Sequence, residues 1–483
     1  MRAVLLQLLA AILARVWAAP ASSTQSQSES LHPSSSSASV SPSASTSQPY
    51  RIVFGSCNSA RKLGLWTNIH EQSKPDELIL LGDNMYADSL GWDRNFIPAD
   101  EAALRHQYAL LSNDPGFQQV VADAGGSISA TFDDHDYGIN NGDKTYPLRN
   151  LSQHLFNDFL GIPLDSPRRQ QSGVYSSKLV EGVPLGKEAT LSYKVIMLDS
   201  RSNKDTPGTL RGDFLGEEQW AWLERELADA RPDVIFLGSS IQVLPDDKVL
   251  EETWSDFPQA RARLVQMIAN AAAPNIFILS GDVHTGEVLQ SKCRFKNESD
   301  YPFYEQFRLY EFTSSGLTHT FTKTTPFAVE SAQKGSDPAL FSPMSTFYQR
   351  SRGIFHEMVY DMFVSTSVTN SREFKFRDHY RGLHYGLVEL KSSDSVVISI
   401  LDYIGTVVLQ RKLPLRTREE KNVLGGGRVE CRPFHGTAPG WRISLAFHSL
   451  WLIPLLYLGM PATILILLCF VLGFAKKSKT KTP

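Results

Sequence analysis

Strong positive charge and abundant cysteine are both missing from this chain of 483 residues. The formal net charge is −3 at pH 7 and no stripe of basic residues is visible, which argues against a protein that binds nucleic acid through its charge. Of the four cysteines, Cys469 lies in a long apolar run. The other three can form at most one disulfide, so at least one thiol is left over. The chain shows no internal repeat.

The beginning of the chain predicts export. Residues 1–19 hold one early charge, Arg2, followed by an apolar run and small residues, which is the layout of a secretory signal peptide. Residues 20–48 consist almost entirely of Ser, Thr, Pro, Gln and Ala. A segment of this composition cannot bury enough apolar surface to offset its ordering entropy, so we expect a disordered stalk.

The other end of the chain predicts a membrane anchor. Residues 448–475 are apolar, and at about 1.5 Å per residue they are long enough to cross a hydrocarbon core of about 30 Å. A buried core helix is the alternative. Residues 476–483 are basic, and basic residues beside a membrane span stay cytoplasmic. We therefore expect a single-pass type I membrane protein of the secretory pathway, at the cell membrane or an endomembrane, with its larger part extracellular or lumenal.

The part between the ends reads as one α/β domain, residues 49–415, followed by a Gly-rich, charged juxtamembrane linker, residues 416–447. Six short apolar runs end in polar residues or glycine, which predicts buried strands. The runs are residues 51–57, 76–86, 127–136, 193–201, 232–240 and 275–284. Helical patterns at residues 216–230 and 258–272 lie between some of these runs. In such folds ligands bind beyond the carboxyl ends of the strands, so these ends together indicate one site.

The predicted strand ends carry metal-binding side chains of two kinds. The thiolate, phenolate and imidazole of Cys57, Tyr86 and His284 suit a transition metal, and a tyrosinate suits ferric iron. Carboxylates such as Asp134 and Asp282 suit a hard cation such as Ca²⁺. Two metals held a few Å apart by a bridging Asp can clamp a phosphoryl group and activate water for in-line attack.

One stretch, FDDHDYGINNGD at residues 132–143, is unusually rich in oxygen ligands, with four Asp and two Asn in a chain that is only 20% charged. A solvated acidic turn and a metal site are the two explanations. Its spacing does not match the calcium loop of an EF-hand.

Four motifs, in the order GSC, LGDNMYAD, FDDHDYG and LSGDVHTGE, resemble the PhoD-like (alkaline phosphatase D) branch of the calcineurin-like metallophosphoesterases. The later segment HYGLVELKSSDSVVISILDYIG is similar to the strand pair that closes that domain, so the resemblance covers residues 50–412. It implies a four-layer α-β-β-α sandwich with metals at one edge. It also implies hydrolysis of phosphate monoesters and diesters with iron and calcium, Fe³⁺ and Ca²⁺, whereas Zn²⁺ or Mn²⁺ are the alternative metals.

The resemblance assigns metal ligands to individual residues. The matching residues are Cys57, Tyr86 and His284 at the iron-like site, Asp83 as the bridge, and Asp134 and Asp282 at the second site. His135 takes the place of a histidine that contacts the phosphate or the leaving oxygen, a catalytic role, although it can also be a turn histidine. Arg201 ends a strand on the same rim and either pairs with phosphate oxygens or is a structural ion-pair partner. Gln242 stands where other branches place a metal-binding histidine, and its amide oxygen is a candidate ligand for a hard cation.

The cysteines and sequons add expectations for an exported chain. Cys57 is either a metal ligand or a disulfide partner. If it is a ligand, Cys293 and Cys431 are left as a candidate bridge. Asn150 and Asn297 lie in N-x-Ser sequons and are expected to carry glycans.

The sequence therefore predicts a membrane-anchored ecto-phosphatase that hydrolyses small phosphate monoesters with a two-metal site and a metal-bound hydroxide nucleophile. A phosphodiesterase using the same site is one alternative. A non-catalytic calcium-binding or adhesion ectodomain on the same fold is the other. The oligomeric state is left open.

Overall fold

The computed structural model describes residues 49–60, 64–90, 95–185, 189–209, 211–245, 251–296, 304–318, 320 and 379–432. The predicted signal peptide, stalk, transmembrane segment and basic tail lie outside these residues, and so does the sequon at Asn297. Within the described ranges, none of the helices combines the length and the apolar character that crossing a membrane requires.

The strands of the described chain, in sequence order, are β1 (Tyr50–Gly55), β2 (Glu77–Leu81), β3 (Ser89–Leu90), β4 (Phe96–Ile97), β5 (Ile128–Thr131), β6 (Ser176–Leu185), β7 (Ala189–Met197), β8 (Val234–Ser239), β9 (Asn275–Ser280), β10 (Gly286–Phe295), β11 (Phe307–Ser314), β12 (His379–Tyr380), β13 (His384–Leu390), β14 (Ser395–Asp402), β15 (Val407–Pro414) and β16 (Val429–Arg432). The helices are α1 (Gly64–Gln72), α2 (Glu101–Ser112), α3 (Pro115–Asp123), α4 (Asp134–Tyr137), α5 (Arg149–Phe159), α6 (Gly216–Leu227), α7 (Pro258–Ala269) and α8 (Arg418–Leu424). Two 3₁₀ turns are Pro167–Arg169 and Trp254–Asp256.

Two large sheets are built from these strands. The first has the order β15-β14-β13-β1-β2-β5, and the second has the order β12-β10-β11-β9-β8-β7-β6, with β16 paired to β10. Within the first sheet, β1, β2 and β5 are parallel neighbours. Within the second, β7, β8 and β9 are parallel neighbours. All six strands predicted from the apolar runs are therefore present, as two parallel triplets.

The central strands form because they are apolar on both faces. Strand β2 has the sequence ELILL, which is purely aliphatic after its first residue. Every residue of β2 is buried, and so is every residue of β8. A strand of a parallel sheet that is covered on both faces reads as a continuous apolar run rather than as an alternating one. The two sheets therefore need cover on both sides.

Three hydrophobic cores supply that cover. One lies between the sheets and joins Phe54 of β1 and Ile398 of β14 to Phe236 of β8. A second packs α1, α3 and α5 onto the first sheet, for example through Trp66. A third packs α6 and α7 onto the second sheet, for example through Trp220. The mixed α/β class predicted from the sequence is confirmed, and the cores give a helix, sheet, sheet and helix order of layers.

The end of the domain differs from the prediction. A linker was expected from residue 416, but α8 and β16 follow β15 in the described chain. Strand β16 pairs antiparallel with β10, and a disulfide joins Cys293 to Cys431 across that pair. The segment expected to be a linker thus contains a helix and a short strand, and the disulfide joins that strand to the second sheet.

Candidate metal centre

The carboxyl ends of the two parallel triplets meet at one edge. Thr131, at the end of β5, donates through Oγ1 to the carbonyl oxygen of Leu198 at 2.7 Å, just beyond β7. The hydroxyls of Ser200 and Ser240, which follow β7 and β8, lie 2.5 Å apart. Since the loops of both sheets contact each other here, side chains at these strand ends can converge.

The backbone bends sharply where the predicted ligands stand. Four of the seven non-glycine residues with positive φ in the described chain are predicted ligands: Cys57 at 60°, Asp83 at 48°, Asp282 at 71° and His284 at 54°. L-residues rarely adopt this conformation, which costs about 1–3 kcal/mol for each residue. This strain is concentrated at the edge where the side chains converge, as is typical of functional sites.

Asp83 contacts two of the predicted transition-metal ligands, Cys57 and Tyr86. Its Oδ2 accepts from the hydroxyl of Tyr86 at 3.0 Å and from the thiol of Cys57 at 3.6 Å. Its Oδ1 accepts from the backbone N–H of His135 at 3.3 Å. The Cys57 thiol and the Tyr86 phenol therefore face the same carboxylate, which also contacts the acidic stretch.

Cys57 is a buried thiol without a disulfide. Its Sγ lies 3.0 Å from the hydroxyl of Ser315 and 3.6 Å from the carbonyl oxygen of Asp282. Burial raises the pKa of the Cys57 thiol to about 11, so without a cation beside it the thiol stays neutral. A metal ion would supply the positive charge that a thiolate at this position needs.

The acidic stretch divides into ligand candidates and structural residues. Asp136 accepts from the backbone N–H of Asp133 at 2.6 Å and from the backbone N–H of Asn84 at 3.1 Å, so it locks the start of α4. Burial raises the pKa of Asp136 to about 8. Asp143 accepts from the backbone N–H and the hydroxyl of Thr145, which closes a turn.

Asp134 joins two groups of possible metal ligands. One group is Asp83, Asp134 and His135, and the other is Asp133, Asp134 and Asp282; within each group the ligand atoms lie within 4.8 Å of one another. All five residues are buried. The spacing is suitable for cations shared between neighbouring carboxylates.

Several carboxylate oxygens at this edge are buried without a hydrogen-bond partner among the described residues. They are Oδ1 of Asp134, Oδ2 of Asp282 and Oδ2 of Asp133. A buried, unpaired carboxylate oxygen is costly unless a cation or a donor faces it. These atoms are therefore suited to bind metal ions.

The close packing of buried carboxylates at this edge also shifts their pKa values. Burial and the neighbouring carboxylates hold the pKa values of Asp83 and Asp282 well above the usual range. Burial also works against ionisation of Asp134, but the positive charges of His135 and Arg201 outweigh it and lower the pKa of Asp134. Asp134 is thus the carboxylate that the protein itself keeps ionised.

His135 is oriented by a second carboxylate. Its Nδ1 donates to Oδ1 of Asp88 at 2.6 Å, and its ring lies against Tyr86, with centroids 4.3 Å apart, and against Phe96 at 5.4 Å. Burial opposes a charge on the imidazole, but Asp134 and Asp83 raise its pKa to about 11. The hydrogen bond to Asp88 and the two ring contacts therefore orient the imidazole of His135 among the candidate ligands.

Arg201 forms ion pairs of the kind expected for a structural role, which was the alternative to pairing with phosphate. It is fully buried, its Nε donates to Oδ1 of Asp133 at 2.5 Å, and its guanidinium pairs with Glu252. Gln242 is also buried, and its Nε2 donates to Oε2 of Glu287 at 3.1 Å and to Thr313 at 2.8 Å. Its Oε1 has no hydrogen-bond partner in the described structure.

His284 is linked to Cys57 through Ser315. Its backbone N–H donates to the hydroxyl of Ser315 at 2.7 Å, the same hydroxyl that contacts the Cys57 thiol. Burial lowers the pKa of the imidazole, which favours the neutral form that binds metals. Neither His284 nor Cys57 belongs to the two carboxylate groups found among the described residues.

Four neighbours of the site were missed by the sequence analysis. Asp133 and Asp88 lie inside two of the four motifs, but neither residue was assigned a role. Their position beside predicted ligands was the signal that could have identified them. Glu252 and Ser315 carry no local signal, because only the packing of the two sheets brings them to this edge.

Comparisons with known proteins found one family and similar solved structures. Residues 165–360 match the family described as PhoD-like phosphatase. The chain is similar to a solved structure titled "Structure of PhoD", with 15% identity and a TM-score of 0.48 over 80% of this chain and 74% of that one. It is also similar to purple acid phosphatase PPD1 from yellow lupin (Lupinus luteus) seeds, with 11% identity and a TM-score of 0.42 over 77% of this chain and 55% of that one. No curated protein matches.

Proposed function

We propose that this chain, a PhoD-like phosphatase and thus a hydrolase of phosphoester bonds, is a membrane-anchored ecto-phosphatase that hydrolyses small phosphate monoesters at a binuclear metal site. The family match confirms the resemblance predicted from the motifs. The observation that carries the proposal is the set of buried carboxylate oxygens around Asp134 that lack partners in the described structure.

The chain offers donors for two different metals. Cys57, Tyr86 and His284 would hold an iron-like ion with Asp83 between the sites, and Asp134 with Asp282 would hold a calcium-like ion. Soft and aromatic donors on one side and carboxylates on the other support iron and calcium, with zinc or manganese as alternatives. When bound, such a pair of metal ions activates water and neutralises phosphoryl charge.

His135 supplies the proton in this proposal. Its Nδ1 is occupied by Asp88, so Nε2 is the nitrogen left to face the reacting phosphoryl group. In this proposal His135 donates a proton from Nε2 to the departing alkoxide oxygen, and Asp88 stabilises the protonated ring through its hydrogen bond to Nδ1. Asp88 holds the ring in the orientation that this transfer needs.

Monoesters are favoured by the depth of the site. Asp83 and Asp134 are each only 2% exposed, so a substrate must bring its phosphoryl group to a nearly closed edge. A terminal phosphoryl group can do so with one substituent pointing outward, whereas a diester must accommodate two.

The location of the protein is inferred from its ends and its cysteines. The predicted signal peptide and apolar segment at residues 448–475 support a type I membrane protein. The disulfide between Cys293 and Cys431 supports an oxidising compartment, because such bonds persist in exported and lumenal proteins. Asn150 is exposed at the start of α5, so a glycan there would not displace core side chains.

The test compares two Asp→Ala variants of the purified full chain. Asp134→Ala removes the carboxylate shared by both ligand groups, so bound metal and hydrolysis of nitrophenyl phosphate should both fall, hydrolysis by about 10²-fold or more. Asp158→Ala is the control, since its carboxylate is half exposed and pairs only with Arg169 among the partners described. Equal metal content and activity in all three proteins would overturn the proposal, and faster hydrolysis of a bis-nitrophenyl diester would favour a phosphodiesterase.

A further inference from the structure

A buried lysine contacts the acidic stretch from outside the candidate metal centre. Lys204 lies in the loop after β7 and is 1% exposed. Its Nζ donates to the carbonyl oxygen of Asn141 at 2.9 Å and pairs with the carboxylate of Glu252. Neither Lys204 nor Glu252 belongs to the ligand groups found in the described chain.

Asn141 links that lysine to the shared carboxylate. Its backbone is left-handed, with φ at 58°, and its N–H donates to Oδ2 of Asp134 at 2.6 Å. The other oxygen of Asp134, Oδ1, is one of the buried atoms without a partner in the described structure. The Asn141 amide therefore determines which oxygen of Asp134 is left to face a cation.

Glu252 joins this contact to the second carboxylate group. It pairs with Lys204 through Oε1 and with Arg201 through Oε2, and Arg201 in turn donates to Asp133 at 2.5 Å. One carboxylate thus holds the two cationic side chains that support adjacent parts of the acidic stretch.

We propose that Lys204 and Glu252 are positioning residues that hold Asn141 in its left-handed conformation and thereby orient Asp134 for metal binding. The reason is energetic: a left-handed residue that is not glycine relaxes unless its neighbours hold it. Asparagine tolerates this conformation better than most residues, but the carbonyl contact with Lys204 fixes it. The role in metal binding rests on the proposed function.

The experiment uses the full chain with Lys204→Met, which matches the length of the apolar stem of lysine and removes the ammonium group. Lys194→Met is the matched control, because Lys194 on β7 is also buried and paired, but its described side-chain contacts are with Glu226 and Asp229 and not with the acidic stretch. Hydrogen exchange of the peptide covering residues 138–145 is measured without metal. Ca²⁺ and Mn²⁺ are then titrated by calorimetry.

We expect faster exchange at residues 138–145 in Lys204→Met and about 10–100-fold weaker binding of the metal that the wild type binds, the usual cost of losing a supporting contact of a ligand. Lys194→Met should leave both quantities unchanged. Glu252→Gln should change both in the same direction and replaces Lys204→Met if that variant does not fold.

Unchanged exchange in Lys204→Met and Glu252→Gln would overturn the proposal, and so would faster exchange with wild-type metal affinity. Equal losses in Lys194→Met would also overturn it, since they would indicate general destabilisation. A wild-type chain that binds neither ion and hydrolyses no phosphoester would reject the proposed function and the metal role together, while the exchange result alone still decides whether Lys204 holds Asn141.

Discussion

Single residues in this site have roles that follow from their neighbours. Asp134 and Asp136 are two positions apart in one acidic stretch, yet Asp136 has its oxygens filled by backbone N–H groups and Asp134 keeps one oxygen without a described partner. Asp136 locks the start of a helix, and Asp134 is a ligand candidate. The excess of oxygen ligands in residues 132–143 therefore includes both backbone-locking carboxylates and candidate metal ligands.

A substitution of His135 tests its proposed role as a general acid. His135→Ala should lower turnover by about 10²–10⁴-fold, the usual contribution of general acid catalysis, while metal content stays the same. The loss should be smaller for nitrophenyl phosphate than for an alkyl phosphate, because a good leaving group needs little protonation. Turnover and metal content are measured side by side.

Two other outcomes would change the role of His135. An equal loss for both leaving groups would point to positioning of the phosphate rather than proton donation. A loss of bound metal would make His135 a ligand with Asp83 and Asp134, whose carboxylate oxygens lie within 4.8 Å of its ring nitrogen.

The burial of His384 should make the free energy of unfolding sensitive to acid. Its Nε2 accepts from the N–H of Ser315 at 3.1 Å and its Nδ1 donates to the carbonyl oxygen of Gly382 at 2.7 Å, so it is bound as the neutral ring. Burial lowers its pKa to about 4, from 6.5. Between these values the unfolded chain binds the proton and the folded chain does not, so the stability contributed by neutral His384 is present above pH 6.5 and lost towards pH 4.

This contribution is measured as the difference between two pH profiles of denaturant unfolding. From pH 7 to pH 4, the wild type should lose about 3 kcal/mol more than His384→Gln. His154→Gln, a change at an exposed histidine, should follow the wild type. Parallel profiles for the wild type and His384→Gln would rule out the buried neutral ring.

At the scale of elements, the strands that the sequence predicts are those with apolar runs. β2 and β8 are examples, since both are buried along their whole length. β10 was not predicted although it is almost wholly buried, because its buried residues include Glu287, Gln290 and Ser291. Polar side chains that find partners only in the folded sheet erase the pattern on which a sequence prediction depends.

The same distinction applies to the site. Cys57, Asp83 and Asp134 lie two or three residues beyond the ends of β1, β2 and β5, so their convergence follows from the order of the sheet. Ser315 and Glu252 reach the site through long-range packing and could not be found in this way. The disulfide was only one open possibility in the sequence, because the pairing of three thiols depends on the register of β10 and β16.

The disulfide between Cys293 and Cys431 should stabilise the pairing of β16 with β10. Cys431→Ser should lower the free energy of unfolding by about 2–4 kcal/mol, because the link closes a long loop of the unfolded chain and fastens β16 to β10. Denaturant unfolding with and without reductant checks it. The wild type should lose the same amount in reductant, and Cys431→Ser should not respond; a wild type that is insensitive to reductant would contradict a structural role.

For the whole molecule, the site depends on both sheets. Cys57, Asp83 and Asp134 follow strands of the first sheet, and Asp282 and His284 follow β9 of the second. A metal bound by both sets would link the sheets, so metal binding should be coupled to folding. The predicted export signal and anchor would place this domain outside the cytosol, facing phosphate esters of the extracellular or lumenal space.

The proposed function requires two metal ions in this site for phosphoester hydrolysis. Metal content per chain and hydrolysis of nitrophenyl phosphate are therefore measured on the same purified sample, before and after a chelator. We predict two metal ions per chain, one of them iron with a visible charge-transfer band that Cys57→Ser or Tyr86→Phe removes, and a loss of hydrolysis in parallel with the loss of metal. Full hydrolysis by a chain stripped of all metal would show that the reaction does not depend on metal ions.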